Sequence, residues 1–169
     1  MILPMYVFGQ PVLRKVAEEI DENYPNLKEL IQNMFETLRR SDGVGLAAPQ
    51  VGLPIRLFIV DLDCLSEDHP EYKGYLKTFI NPEIVEVSSE TCSYEEGCLS
   101  LPGIHENVKR PARVLVNYLD ENFEEHEAWF EDFPARVIQH EYDHLNGVFF
   151  YDHINPSAPD KQLPGEQLI

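Results

Sequence analysis

The chain has 169 residues, 43% apolar and 25% charged, which suits a single globular domain with a core of its own. Its formal net charge of −17 argues against a protein that holds nucleic acid or anionic membrane non-specifically, because its long-range field repels both. Three cysteines, Cys64, Cys92 and Cys98, are too few and too odd in number for a disulfide framework, and they fit a reducing compartment.

The chain opens with MILPMYVFGQPVLRK, which lacks a charged region followed by an apolar one. No signal peptide is expected, and no apolar run nears the roughly 18 residues of a membrane span. PVLRKVAEEI (11–20) spaces Val12, Val16 and Ile20 four apart and predicts a short helix. The clearest helix follows in YPNLKELIQNMFETLRR. There Leu27, Leu30, Ile31, Met34, Phe35 and Leu38 repeat on one face, Pro25 falls in the first turn, and Ser41–Gly43 ends the element.

IRLFIVDLD (55–63) reads as a buried strand, and SEDHPEYKG (66–74) as a polar loop. TFINPEIVEVSS (78–89) is strand-like, with Pro82 marking an edge or a bulge. Residues 113–130 read as a hairpin turning near Asp120–Asn122. The acids of 117–132, with no Lys or Arg among them, read as its solvated face. A last helix is expected to start near Phe133–Pro134, capped by Asp132 or Phe133 and stopped at Gly147. Residues 154–169 carry three prolines and predict a surface tail, leaving 1–153 as a single domain. Strands thus cluster between an early and a late helix. The expected fold is α+β, with small, mostly antiparallel sheets around the late helix and an N-terminal amphipathic helix.

The chemistry concentrates in that late helix. VIQHEYDHLNG (137–147) places His140 and His144 one helical turn apart, with Glu141 beside them. This H-E-x-x-H spacing can chelate one metal and set a carboxylate against a metal-activated water, although a solvated helix face would carry the same letters. A catalytic site of this kind wants three protein ligands. Position 150, where one zincin class has its third histidine, is Phe150, and the only later glutamate is Glu166 in the tail. Upstream, EEGCLSLPG (95–103) offers Cys98, whose bland reading is a small buried residue. GVGLAAPQVG (43–52) reads as a tight turn and is not a phosphate loop, since no Lys-Ser/Thr pair follows its glycines.

These segments together resemble the peptide deformylase family. That family carries Gly-apolar-Gly-apolar-Ala-Ala-x-Gln, here Gly43–Gln50; Glu-Gly-Cys-Leu-Ser, here Glu96–Ser100; and Gln-His-Glu-x-Asp-His, here Gln139–His144. The resemblance spans roughly residues 3–152. It implies hydrolysis of the formyl group from N-formylmethionine of newly made bacterial or organellar polypeptides, releasing formate. It also implies Cys98, His140 and His144 as ligands of one divalent metal per chain. Fe²⁺ is the expected native ion, with Zn²⁺ or Ni²⁺ able to bind.

Under the same resemblance, metal-bound hydroxide is the nucleophile and Glu141 the general base and acid, while Gln50 and the Leu99 backbone N–H stabilise the oxyanion. The substrate pocket would comprise Val44, Gly45, Tyr94, Gly97, Phe133, Arg136 and Val137, with the Arg136 stem lining it and its head in water. Glu96 and Asp143 adjoin ligands, and Arg110 is expected to pair with one or both as outer support. His105 and Asp42 stand where relatives commonly have arginine and glutamate, which bears on the outer subsites. The expected partners are N-formylmethionyl nascent peptides and, weakly and transiently, the ribosome. No specific nucleic acid and no membrane are expected, and the location is bacterial cytoplasm. Two other readings remain: a zinc endopeptidase, which leaves Gly43–Gln50 and Glu96–Ser100 without a role, and a non-catalytic metal-stabilised module, which has no use for Glu141 or Gln50.

Overall fold

The structure, a computed structural model, describes residues 1–154. The helix expected over 11–20 does not form; only Pro11–Arg14 turns, as a single 3-10 turn. Leu13 and Ala17 are the buried side chains, while Val16 is 70% exposed. From Ala17 the backbone pairs with distant segments. The Ala17 N–H donates to the Leu145 carbonyl at 2.8 Å, and Glu18 forms a parallel bridge with Ile55. These partners satisfy the backbone groups that a local helix would have claimed.

Helix α1, Leu27–Arg39, forms as expected and buries Leu27, Ile31, Met34 and Leu38 along one stripe. Pro25 lies just outside it, and Asn26 caps it in a left-handed conformation (φ 56°). Strands β1 (Gly45–Ala47), β2 (Leu57–Asp61) and β3 (Leu76–Val87) follow. Next come β4 (Thr91–Cys98), β5 (Leu101–Pro111), β6 (Arg113–Leu119) and β7 (Glu125–Glu131). One sheet has the order β1-β2-β3-β6-β7, and β4 and β5 form a separate hairpin. All these strand pairs are antiparallel. Pro82 falls in a register shift of β3 between Ile80 and Glu83, where a missing N–H is tolerated. The β6–β7 hairpin turns over 120–124, its Asp120 Oδ1 accepting the N–H groups of Asn122 and Glu124.

Helix α2, Asp132–Leu145, carries the histidine motif and ends two residues before Gly147. Its cap is Glu131, without a side-chain bond, instead of Asp132 or Phe133. Asp132 already has helical hydrogen bonding but a left-handed φ of 56°, so the chain turns into the helix one residue earlier than the polar pattern suggests.

The five-stranded sheet lies between the two helices. Alternation along β2 sends Phe58 and Val60 toward α2, where Val137 and Ile138 meet them. Leu57 and Ile59 point toward α1, against Ile31, Met34 and Leu38. Burying such side chains contributes about 1.5–3 kcal/mol each. A third apolar cluster joins Leu101 and Val108 of the β4–β5 hairpin to Phe8, Leu13, Phe149 and Phe150. The α+β expectation holds. The expected tail of 154–169, Ile154 apart, lies outside the described residues.

Candidate metal centre and active site

Helix α2 presents His140 and His144 one turn apart, their ring centroids 5.2 Å from each other. Cys98 ends β4 at a register shift after Gly97. One ligand atom from each of Cys98, His140 and His144 lies within 4.8 Å of the other two. Cys98 Sγ is 3.3 Å from His144 Nε2. His140 Nδ1 is 2.8 Å from Glu96 Oε1. A carboxylate can only accept, so it fixes the proton on Nδ1 and leaves the Nε2 lone pair free for a metal.

The electrostatics fit a cation. Burial pulls the His140 imidazole down, but Cys98, Glu96 and Glu141 around it outweigh burial and raise it well above its ordinary value. His144 is pushed well below by burial and by the charge on His140. The site therefore favours positive charge and denies it to a second imidazole. A divalent ion held by a thiolate and two neutral imidazoles meets both conditions.

Glu141 is buried beside the histidines. Burial pushes its carboxyl up to about 7. Its Oε1 has no hydrogen-bond partner among the described residues, so a proton-accepting oxygen is left free. Gly45 makes room for it, because a Cβ there would stand 2.6 Å from Glu141 Oε2. Gln50 is buried, its Oε1 accepting the Ala47 N–H at 2.9 Å. Its Nε2 donates to Ser100 Oγ at 3.1 Å and faces Cys98 Sγ at 3.6 Å. Ser100, which the sequence reading passed over, thus fixes the amide's orientation.

Arg110 pairs with both expected partners. It reaches Glu96 through two bonds of 2.7 and 3.0 Å and Asp143 through one of 2.8 Å. His153, also unforeseen, meets Asp143 Oδ2 at 2.8 Å. Burial alone would raise the Glu96 carboxyl, but hydrogen bonds from His140 and Arg110 and the Arg110 charge hold it below the usual range. That keeps Glu96 an anion, and hence an acceptor for His140.

A cleft of about 510 Å³ opens over these groups. Val44, Gly45, Gly97, Phe133 and Val137, named above for the substrate pocket, stand in its lining, as does Leu99. Two residues depart from expectation. Arg136 reaches the wall but its head does not reach water; it turns inward to Glu96 Oε2 at 2.5 Å, the Val108 carbonyl at 2.9 Å and the Cys92 carbonyl at 2.8 Å. Three acceptors, one of them a carboxylate oxygen that it shares with Arg110, outweigh hydration of the head. Tyr94 is not among the described residues that line the cleft; its ring lies 5.0 Å from the Arg136 guanidinium carbon. Asp42 and His105 stand in the lining. His105 sits over Gly97, where a Cβ would meet its Nδ1 at 2.5 Å.

The family model for polypeptide deformylases matches residues 2–160. The peptide deformylase of Flavobacterium psychrophilum is 52% identical to this chain, the match covering 91% of this chain and 83% of that protein. Among solved structures, the peptide deformylase of Thermotoga maritima aligns with a TM-score of 0.81 at 43% identity, covering 90% of this chain and 97% of the other. The Met-Ala-Ser-bound class I type b peptide deformylase of Acinetobacter baumannii aligns with a TM-score of 0.81 at 39% identity, covering 90% and 98%.

Proposed function

The chain belongs to the polypeptide deformylase family, metal-dependent enzymes that remove the N-formyl group from nascent peptides, and on that premise we propose which of its residues do so. The observation that carries the assignment is the convergence of Cys98, His140 and His144 beside a buried Glu141, with Cys98, His140 and Glu141 lining a cleft. In this reading the three residues hold one divalent metal. When bound, it supplies Lewis-acid activation of a water molecule and of the formyl carbonyl.

The chain's own groups do the rest. Glu141 Oε1 takes the water proton and returns it to the departing amine, a task suited to a carboxyl pushed up to about 7. Gln50 Nε2, locked by Ala47 and Ser100, and the Leu99 backbone N–H donate to the developing oxyanion. Val44, Phe133 and Val137 supply the apolar wall for the methionine side chain. Gly45 and Gly97 lie on β1 and β4, each with one edge unpaired among the described strands, against which an extended peptide can add. The A. baumannii relative with bound Met-Ala-Ser supports a deformylated tripeptide as the product such a cleft accepts.

Fe²⁺ is the native ion in this reading, with Zn²⁺ and Ni²⁺ as substitutes. Residues 1–153 act as one catalytic domain in the bacterial cytoplasm. Among the described residues no helix is long and apolar enough to cross a membrane. Ribosome contact is transient and weak, as the net charge of −17 opposes approach to RNA. The test is anaerobic purification with metal analysis, followed by a formate-coupled assay on formyl-Met-Ala-Ser. Formate release without cleavage of internal peptide bonds is expected. Internal cleavage, or retained metal with no turnover of any formylated peptide, would overturn the assignment.

A further inference from the structure

The ligands come from two bodies that do not share an apolar cluster. Helix α2, with His140 and His144, packs its apolar face into the sheet through Ala135, Val137, Ile138 and Leu145. The β4–β5 hairpin, with Cys98, packs through Leu101 and Val108 onto Phe8, Leu13, Phe149 and Phe150. Among the described residues no hairpin residue belongs to the first cluster and no α2 residue to the second. Cys98 must nonetheless sit 3.3 Å from His144. What joins the two bodies is chiefly polar, beside ring contacts of Tyr94 with Phe133 and of His140 and His144 with Phe150 and Phe149.

Arg136 is central to that seam. It lies one helical turn before His140 on α2 and is 4% exposed. Its Nη1 donates to Glu96 Oε2 and to the Val108 carbonyl; its Nη2 donates to the Cys92 carbonyl and faces Cys92 Sγ at 3.7 Å. Cys92 and Glu96 belong to β4 and Val108 to β5, so one guanidinium from the helix spans both strands of the hairpin. Tyr94, between Cys92 and Glu96 on β4, sets its ring against the guanidinium, 5.0 Å from its carbon. Glu96 in turn accepts from His140. Arg110 crosses the seam in the opposite sense, from β5 to Glu96 and to Asp143 of α2. The two guanidiniums balance the two carboxylates.

We propose that Arg136 is a positioning residue: it clamps the β4–β5 hairpin to helix α2 and so sets the spacing of Cys98 from His140 and His144. Its guanidinium bonds to hairpin acceptors and to none of Cys98, His140 and His144. This goes beyond a place in the pocket wall, and it rests on the reading of Cys98, His140 and His144 as metal ligands. A lysine cannot replace it fully, because one ammonium lacks the planar fork that reaches a carboxylate and two carbonyls at once. Methionine keeps an unbranched stem and removes every donor.

The experiment compares wild type, R136M and R136K, all in full-length chains. Affinity for Zn²⁺ is read by chelator competition, and ligand geometry by the visible absorption of the Co²⁺ form. Formate release from formyl-Met-Ala-Ser is then measured on metal-saturated protein. R136M is expected to bind metal about 10–100-fold more weakly, the loss typical of removing an outer partner of a metal site. Its Co²⁺ spectrum should shift and its kcat fall more than its KM rises, with R136K between R136M and wild type. Wild-type metal affinity and spectrum in R136M, with only KM raised, would make Arg136 a pocket wall and overturn the proposal. If R136M does not fold, R136K decides: wild-type affinity and spectrum there also overturn it. The deformylase reading fails separately, through a metal-loaded wild type that releases no formate.

Discussion

Among the described residues, two clusters bring a histidine and acidic or thiol side chains within ligand distance of one another. One is Cys98, His140 and His144; the other is Asp120, Glu124 and His126 in the β6–β7 turn. By residue type either could be read as a metal site. The second lies within seven consecutive residues, with Glu124 and His126 exposed, and Asp120 Oδ1 already serves the turn's own N–H groups. The first draws on two elements more than forty residues apart and is walled by buried charge. A local cluster arises because a turn needs acceptors and a solvated face needs charge. A distant, buried one must be held against desolvation by matched partners, and such an arrangement needs a function to retain it.

The sharpest way to break the comparison is at Glu141. Glu141→Gln is expected to lower formate release by about 10²–10⁴-fold, the usual span of a lost general base, with metal content unchanged. Metal analysis beside the kinetic assay checks it, and metal loss would make the carboxylate a ligand. Cys98→Ser replaces a soft thiolate with a hard alcohol. It should weaken Zn²⁺ binding by more than the roughly 10–100-fold that outer partners cost. Unaltered metal content and activity would exclude Cys98 from the ligand set.

Arg110→Ala tests the wall of charge. Removing one partner of a buried pair costs about 3–5 kcal/mol, because Glu96 and Asp143 keep their desolvation with only Arg136 and His153 left to offset it. A clearly lower melting temperature and weaker metal binding are expected; wild-type values of both would show that the network is not holding the site.

The same contrast explains what could be read in the sequence. His140, His144 and Glu141 were legible from a spacing that maps onto one helical turn, whereas Cys98 and Gln50 were legible only through the resemblance carried by Glu96–Ser100 and Gly43–Gln50. Helix α1 and strand β2 were legible from apolar periodicity. The β4–β5 hairpin was not. Its buried positions include Glu96 and Arg110, charges that are satisfied only by each other and by α2, so the period-two apolar signal is missing. The same masking hid the clamp on Arg136, whose three acceptors come from the hairpin. The helix expected at 11–20 failed for the converse reason: a local spacing was present, and long-range backbone pairing overrode it.

The smallest effect belongs to the exposed cluster. The Asp120 carboxyl is held below its ordinary value by its hydrogen bond with His126, helped by the N–H groups of Glu124 and Asn122 and opposed by slight burial. A folded-state value below the unfolded one stabilises the protein above the ordinary aspartate range, and that contribution is lost as pH falls through the folded value. The pair is solvated and screened, so Asp120→Asn should cost at most about 1 kcal/mol near neutral pH. The difference from wild type should close as pH drops below about 4, where the aspartate in the unfolded chain is protonated too. Melting temperatures of the two proteins across that pH range, at low and high salt, check both the size and the sign. Metal content and formate release should not change. If Asp120→Asn instead lost metal or activity, the local turn would be part of the functional site, and burial would no longer separate the two clusters.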